Sequence, residues 1–194
     1  MGTSNWQNLS YCVDLIRQVS PSRVLDVGIG FGRWGMICRE FLDVWQGRVH
    51  REQWLTVIEG IEIFPKNVEE YHSYFYNEIH IADAYELLTL QKLAGFDLII
   101  LGDVLEHFDK QRAVSLLEAC LRTGRYVLLN IPIGNDWPQG SEYGNEYETH
   151  RSEWTMTELD QFPVTAKRKF NDYINREFAT YLFQGRPRIS NQGG

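Results

Sequence analysis

Short apolar runs alternate with stretches whose apolar residues recur every three or four positions, and this alternation persists to about residue 131. Residues 4–19 place Trp6, Leu9, Cys12, Val13 and Ile16 near helical spacing, with Thr3 or Ser4 available as the cap and Pro21 beyond the end. Arg23 to Val27 reads as a first strand, and residues 33–44 as a helix with Trp34, Ile37, Cys38 and Phe41 on one face. A second strand is predicted over about Trp54 to Ile63, with Pro65 where a helix can begin. After the aromatic-rich stretch Tyr71 to Asn77, Ile79 to Ile81 reads as a short third strand. Helical spacing returns from Ala84 to Leu93, and Gly95 closes it. Phe96 to Leu101 is the clearest buried strand, and Asp109 caps a helix running through Thr123. Tyr126 to Ile131 is a fifth strand, ended by Pro132.

Strands joined by helices in this order are what a parallel, doubly wound sheet requires. From Pro132 onward the pattern breaks. Residues 132–153 form a polar loop too long for a plain connection, which marks it as functional or mobile. Thr155 and Glu158 make a capping box for a short helix. Lys167 to Tyr173 and Glu177 to Phe183 then alternate as half-exposed strands joined near Asn175. The predicted fold is therefore α/β, doubly wound, in a single domain. Its sheet is mostly parallel and seven-stranded, with an antiparallel C-terminal hairpin at one edge.

Composition narrows the classes. With 194 residues and 43% hydrophobic side chains, the chain can bury a sizeable core, which excludes wholesale disorder. No apolar run approaches the roughly 20 residues that span a bilayer. Met1 to Asn8 lacks a signal-peptide pattern, so a cytoplasmic location is expected. Cys12, Cys38 and Cys120 are an odd set without CxxC spacing and read as buried free thiols. The net charge of −7 disfavours a phosphate backbone as partner, so a small molecule fits better than nucleic acid. The dense basic cluster Lys167-Arg168-Lys169 reads as a solvated strand face. The edge strands leave both a monomer and a homodimer open.

The chemistry concentrates after the first strand, in Asp26-Val27-Gly28-Ile29-Gly30-Phe31-Gly32. Glycines let the chain turn sharply and let a ligand approach backbone where a Cβ would collide. Position 33 is Arg, where the dinucleotide fingerprint wants glycine. A carboxylate at Asp26 repels a pyrophosphate and favours a ligand bearing ammonium and sulfonium groups. A nicotinamide dehydrogenase is disfavoured on both counts. Glu62, Asp83 and Asp103 also fall at predicted strand ends, where parallel sheets bind ligands, although acids there serve equally as plain helix caps.

The DVGIGFG segment resembles motif I of class I S-adenosylmethionine (SAM) dependent methyltransferases, and later segments come in that family's order. The resemblance covers about residues 20–131 by motif and the rest by topology. It implies a Rossmann-like fold, SAM as cofactor with S-adenosylhomocysteine (SAH) as product, and a small-molecule methyl acceptor. Cofactor contacts are implied at Asp26, Gly28, Gly30 and Gly32. Glu62, beside Ile63, would grip the ribose hydroxyls, after an interval that residues 44–54 lengthen. Asp83 and Ala84 would meet the adenine, and Gly102-Asp103, in the segment running to His107, would line the methionine end. Phe31, Trp34 and Tyr11 are candidate covers for the cofactor, though aromatics on helices more often belong to the core.

Methyl transfer is an in-line displacement, so the enzyme aligns the nucleophile and, for a hydroxyl, accepts its proton. Histidine suits that base near neutral pH. His150, within Tyr147 to Trp154, stands in a segment that resembles a loop of small-molecule O-methyltransferases of quinone and sugar pathways. It is the first candidate for base or acceptor ligand. His107, in a segment common to members with unrelated substrates, is the second. No residue is assigned to a metal. Asp103-x-x-Glu106-His107 with His150 is nevertheless loosely similar to the carboxylate/histidine set of small-RNA 3′-terminal 2′-O-methyltransferases, with Asp for the first Glu and a shorter interval. Such mixed ligands would suit Mg, Mn or Fe(II). Residues 132–154, carrying Trp137, Tyr143, Tyr147 and Trp154 among acids, are expected as a lid selecting a small polar or cationic acceptor. The expected function is methyl transfer from SAM to an oxygen, with nitrogen second, of a small metabolite. The alternative is a SAM-binding regulatory or partner subunit without catalysis.

Overall fold

The apolar run at Phe96–Gly102 (β4) occupies the middle of a seven-stranded sheet in the computed structural model, which describes residues 5–186. The chain runs α1 (Leu9–Val19), β1 (Arg23–Val27), α2 (Arg33–Leu42), β2 (Val57–Glu62), α3 (His72–Phe75), β3 (Glu78–Ile81) and α4 (Ala84–Thr89). After β4 come α5 (Lys110–Thr123), β5 (Gly124–Pro132), α6 (Met156–Leu159), β6 (Val164–Asn171) and β7 (Glu177–Gln184). Strand order is β3-β2-β1-β4-β5-β7-β6; the first five strands are parallel, and β7 is antiparallel to both its neighbours. This is the doubly wound α/β fold that the sequence predicts.

Two cores flank the sheet, and the pleat divides them. Leu25, Val27, Ile99 and Leu101 face α4 and α5, whereas Val24, Leu98, Ile100 and Leu128 face α1 and α2. The apolar run Leu98 to Leu101 of β4 is thus buried on both faces. The three cysteines are free and buried, as expected. The caps at Asp109 and at Thr155/Glu158 form as read. Among the described residues, no helix is long and apolar enough to cross a membrane.

Several local expectations are corrected. The N-terminal helix begins at Leu9, not near residue 4; Thr3 and Ser4 lie outside the described residues, and Trp6 is exposed. Asn8 precedes the helix, yet its side chain turns inward to Asn130 (2.8 Å) and Thr180 (3.0 Å) instead of capping. The helix from Ala84 ends at Thr89, well short of Gly95. Only β6 is half-exposed: Phe178 to Phe183 of β7 are all buried, because β7 inserts between β5 and β6 rather than at the rim. Trp154, expected in the lid, is a core residue at 1% exposure.

Candidate active site

The carboxyl ends of β1 to β5 surround a cleft of about 390 Å³, within the range of small-molecule sites. Gly28, Gly30 and Gly32 hold φ of 71°, 48° and 84°, the left-handed region that glycine enters without strain. The loop crosses onto β2, where the Gly28 and Ile29 N–H groups both donate to the Ile61 carbonyl (2.8 and 3.2 Å). Glu62, 4% exposed, accepts from the Gly30 N–H (3.1 Å) and the Phe64 N–H (2.9 Å) while lining the cleft. Each of its oxygens keeps a further lone pair for a ligand hydroxyl. Gly28, Gly30, Ile63, Ala84 and Gly102 line the same cleft.

Asp83 does two jobs. One oxygen caps α4 through the Tyr85 N–H (2.8 Å), the other pairs with Arg112 (3.0 Å), and the residue also lines the cleft. Asp26, by contrast, lies beneath the glycine loop and does not line the cleft. Its carboxyl receives the Tyr76 hydroxyl at 2.5 Å, and burial, partly opposed by that bond, pushes its pKa up to about 7. Of the three aromatic candidates, Phe31 and Trp34 line the cleft, the first exposed and the second buried. Tyr11 does not; it packs on Phe170 under Arg168.

Glu106, His107 and His150 gather at one side of this cleft. Each offers a ligand atom, and these atoms all lie within 4.8 Å of one another. The two imidazoles meet edge to face with centroids 5.1 Å apart. His150 Nδ1 lies 2.6 Å from the Trp137 carbonyl and His107 Nδ1 lies 3.3 Å from the Thr149 carbonyl. A carbonyl only accepts, so both contacts fit the tautomer with the proton on Nδ1, which leaves the His150 Nε2 its lone pair. Burial lowers both pKa values, that of His107 to about 4 with the neighbouring His150 contributing. Both rings are therefore neutral at pH 7. The Glu106 side chain is 1% exposed with neither oxygen hydrogen-bonded, and burial raises its pKa well above the usual carboxyl range, with Asp103 adding to the shift.

The loop after β5 is tied down rather than loose. The Glu106 carbonyl accepts from the Arg151 and Ser152 N–H groups (2.7 and 3.1 Å), and His150 N–H donates to Gln139 O (3.0 Å). Trp137 Nε1 donates to Glu177 O (2.8 Å), so the loop reaches β7. Trp137, Tyr147 and Glu148 line the cleft, whereas Tyr143 points away at 78% exposure. Sequence reasoning missed Arg112 and Arg176 on the lining, and His72 and Tyr76 behind the glycine loop. No local pattern could find Arg112: it meets Asp83 only because α4 packs on α5.

A family model described as a methyltransferase domain matches residues 7–176. No curated protein matches the sequence directly. Among solved structures, the methyltransferase domain of bacterial CtHen1-CN aligns with a TM-score of 0.58 at 16% identity, over 92% of this chain and 97% of that one. The N-terminal domain of EvdMO1, crystallised with SAH and D-fucose, aligns with a TM-score of 0.63 at 15% identity, over 94% and 85%. The 1,6-didemethyltoxoflavin-N1-methyltransferase of Burkholderia thailandensis, with SAH and its substrate bound, aligns with a TM-score of 0.58 at 16% identity, over 93% and 82%. Identities this low establish a common fold.

Proposed function

The chain belongs to the methyltransferase-domain family, and on that premise we propose that its cleft binds SAM and delivers the methyl group to an oxygen, with nitrogen second, of a small metabolite. The observation that carries this reading is one cleft lined both by the glycine loop with Glu62 and by two neutral histidines. When bound, SAM would supply an electrophilic sulfonium methyl group for in-line transfer to the acceptor oxygen, with SAH as the leaving product. The hydroxyl proton passes to His150 Nε2, whose lone pair is kept available by the Nδ1 contact to Trp137 O. Two aligned neighbours, holding D-fucose and a toxoflavin precursor, fit an acceptor of this size, as does a net charge of −7 that repels nucleic acid. A donor-binding subunit without chemistry is the reading that family membership weighs against.

Calorimetry tests the cofactor assignment. Wild type is expected to bind SAH, and Glu62→Ala to weaken that binding about tenfold or more, since hydrogen bonds to a charged acceptor contribute roughly 1.5–3 kcal/mol. A flat titration with wild-type protein would remove SAM from the proposal; unchanged affinity in Glu62→Ala would remove Glu62 from the ribose.

A second reading is favoured by Glu106. A buried carboxyl with two unpartnered oxygens beside two imidazoles fits the donor set of a divalent cation. Glu106, His107 and His150 would hold it, with the Thr149 and Trp137 carbonyls orienting the rings from behind. When bound, such an ion would polarise an acceptor hydroxyl and ease loss of its proton. Because Glu106 must lose its proton to bind, the stabilisation should grow as pH rises. Mn(II) or Mg(II) is therefore expected to raise the melting temperature of wild type, more at pH 8 than at pH 6, and to leave Glu106→Gln unmoved. Equal shifts in both proteins would dismiss the ion.

A further inference from the structure

Three glycines in the left-handed region within five residues make a loop that its own backbone holds weakly. Here the loop's middle residue is gripped on both of its peptide groups. The Gly30 N–H donates to Glu62 (3.1 Å), and the Gly30 carbonyl lies 3.1 Å from His72 Nε2. Nδ1 lies 3.2 Å from the Glu69 carbonyl but closer, at 2.9 Å, to the Glu69 N–H that donates to it, so Nδ1 keeps the lone pair and Nε2 carries the ring proton toward the Gly30 carbonyl. His72 is wholly buried at 0% exposure and does not line the cleft. A Cβ at Gly32 would come within 2.8 Å of the His72 ring, so a glycine there is what lets the imidazole reach the loop.

Neighbours on the same segment extend the grip. Tyr76 donates to Asp26 (2.5 Å) and accepts from the Gly35 N–H (3.3 Å), and Tyr71 stacks on His72 with centroids 4.2 Å apart. The segment is itself anchored by buried Arg39, which donates to the Phe75 carbonyl (2.9 Å) and to Asn77 (3.2 Å).

We propose that His72 is a positioning residue for the methyl donor: it fixes the Gly30 carbonyl, and with it the Gly30–Phe31 peptide, and so sets donor affinity without touching the donor. The proposal rests on the cleft being a SAM site. Its physical route is preorganisation. A loop already held in its binding conformation loses less freedom when the ligand arrives, so more of the contact energy appears as affinity. A histidine that merely fills the core would act otherwise, since an apolar ring of similar size would then serve as well.

Calorimetry with SAH on wild type, His72→Phe and His72→Gln separates the two, with melting temperatures recorded alongside. The Gln side chain keeps an N–H donor near the Nε2 position. His72→Phe is expected to bind SAH at least about tenfold more weakly, and His72→Gln to fall within about threefold of wild type. Wild-type affinity in His72→Phe overturns the proposal, as does an equal loss in both variants. If wild type itself ignores SAH, the SAM reading fails first and takes this one with it. Should His72→Phe not fold, long-range 1H–15N spectra of the wild-type chain decide. An Nε2–H tautomer whose proton exchanges more slowly with SAH bound supports the clamp. An Nδ1–H tautomer, or exchange that SAH leaves unchanged, rejects it.

Discussion

His107 and His150 carry the same ring, and their surroundings decide what it can do. A backbone carbonyl holds each Nδ1, which leaves the His150 Nε2 as the reactive atom, and burial keeps both rings neutral. His150 is the proposed base, so His150→Ala is expected to keep SAH affinity while slowing SAH release tenfold or more against a responsive panel of hydroxylated acceptors. Loss of SAH binding instead would place His150 with the cofactor. The shift sets the sign of the pH dependence: a base with lowered pKa stays unprotonated further into acid, so the acid limb of the rate falls below about 6.5, the ordinary histidine value. His107 adds a stability term of matching sign. Its folded pKa near 4 lies below the unfolded value, so the stability of its neutral form is present above about 6.5 and is lost as pH falls toward 4. A thermal melt that is flat across that interval would argue against its burial.

At the scale of elements, strand ends and helix starts meet the cleft together. Gly102 ends β4 against the side chain of Trp34 from α2, and a Cβ there would lie 2.1 Å from the Trp34 indole nitrogen. Trp34 is buried, so it cannot swing away freely. Gly102→Ala is accordingly expected to destabilise by about 1–3 kcal/mol, the range for overpacking, seen as a lower midpoint in urea with unchanged slope. A wild-type midpoint would show that the β4–α2 junction yields. The stretch between α2 and β2, legible only as added length, proves to be fastened by side-chain ion pairs. Buried Asp43 binds Arg39 (2.6 Å) and Arg48 (2.8 Å) and accepts from the Leu55 N–H (2.9 Å). Those bonds hold its pKa down despite burial. Through Arg39 the same network reaches the segment behind the glycine loop. The i,i+4 spacing marks Arg39 and Asp43 as partners, but the contacts of Arg39 to Phe75 and Asn77 close between distant elements and leave no mark in the sequence.

For the whole molecule, the topology is what turns scattered residues into a site. Parallel strands deliver their carboxyl ends to one edge of the sheet, so residues 28–31, 62–63, 82–84, 102–104 and 106–107 arrive together. The loop after β5 then arrives at the same edge, because the Glu106 carbonyl and β7 both bind it. Its histidine reaches His107 across more than forty residues of sequence.

Periodicity, caps and the glycine loop were enough to determine the strand-and-helix order, the α/β class and the placement of the glycine loop, Glu62 and Asp83 at strand tips. Those signals are local: each depends on the spacing of apolar side chains or the backbone freedom of a few residues. Only tertiary structure decided that β7 is an inner strand, that Trp154 is core, that Asp26 lies under the loop and that His72 stands behind Gly30. These depend on which surfaces meet, and burial and hydrogen-bond partners set by distant elements leave no periodic trace in the chain.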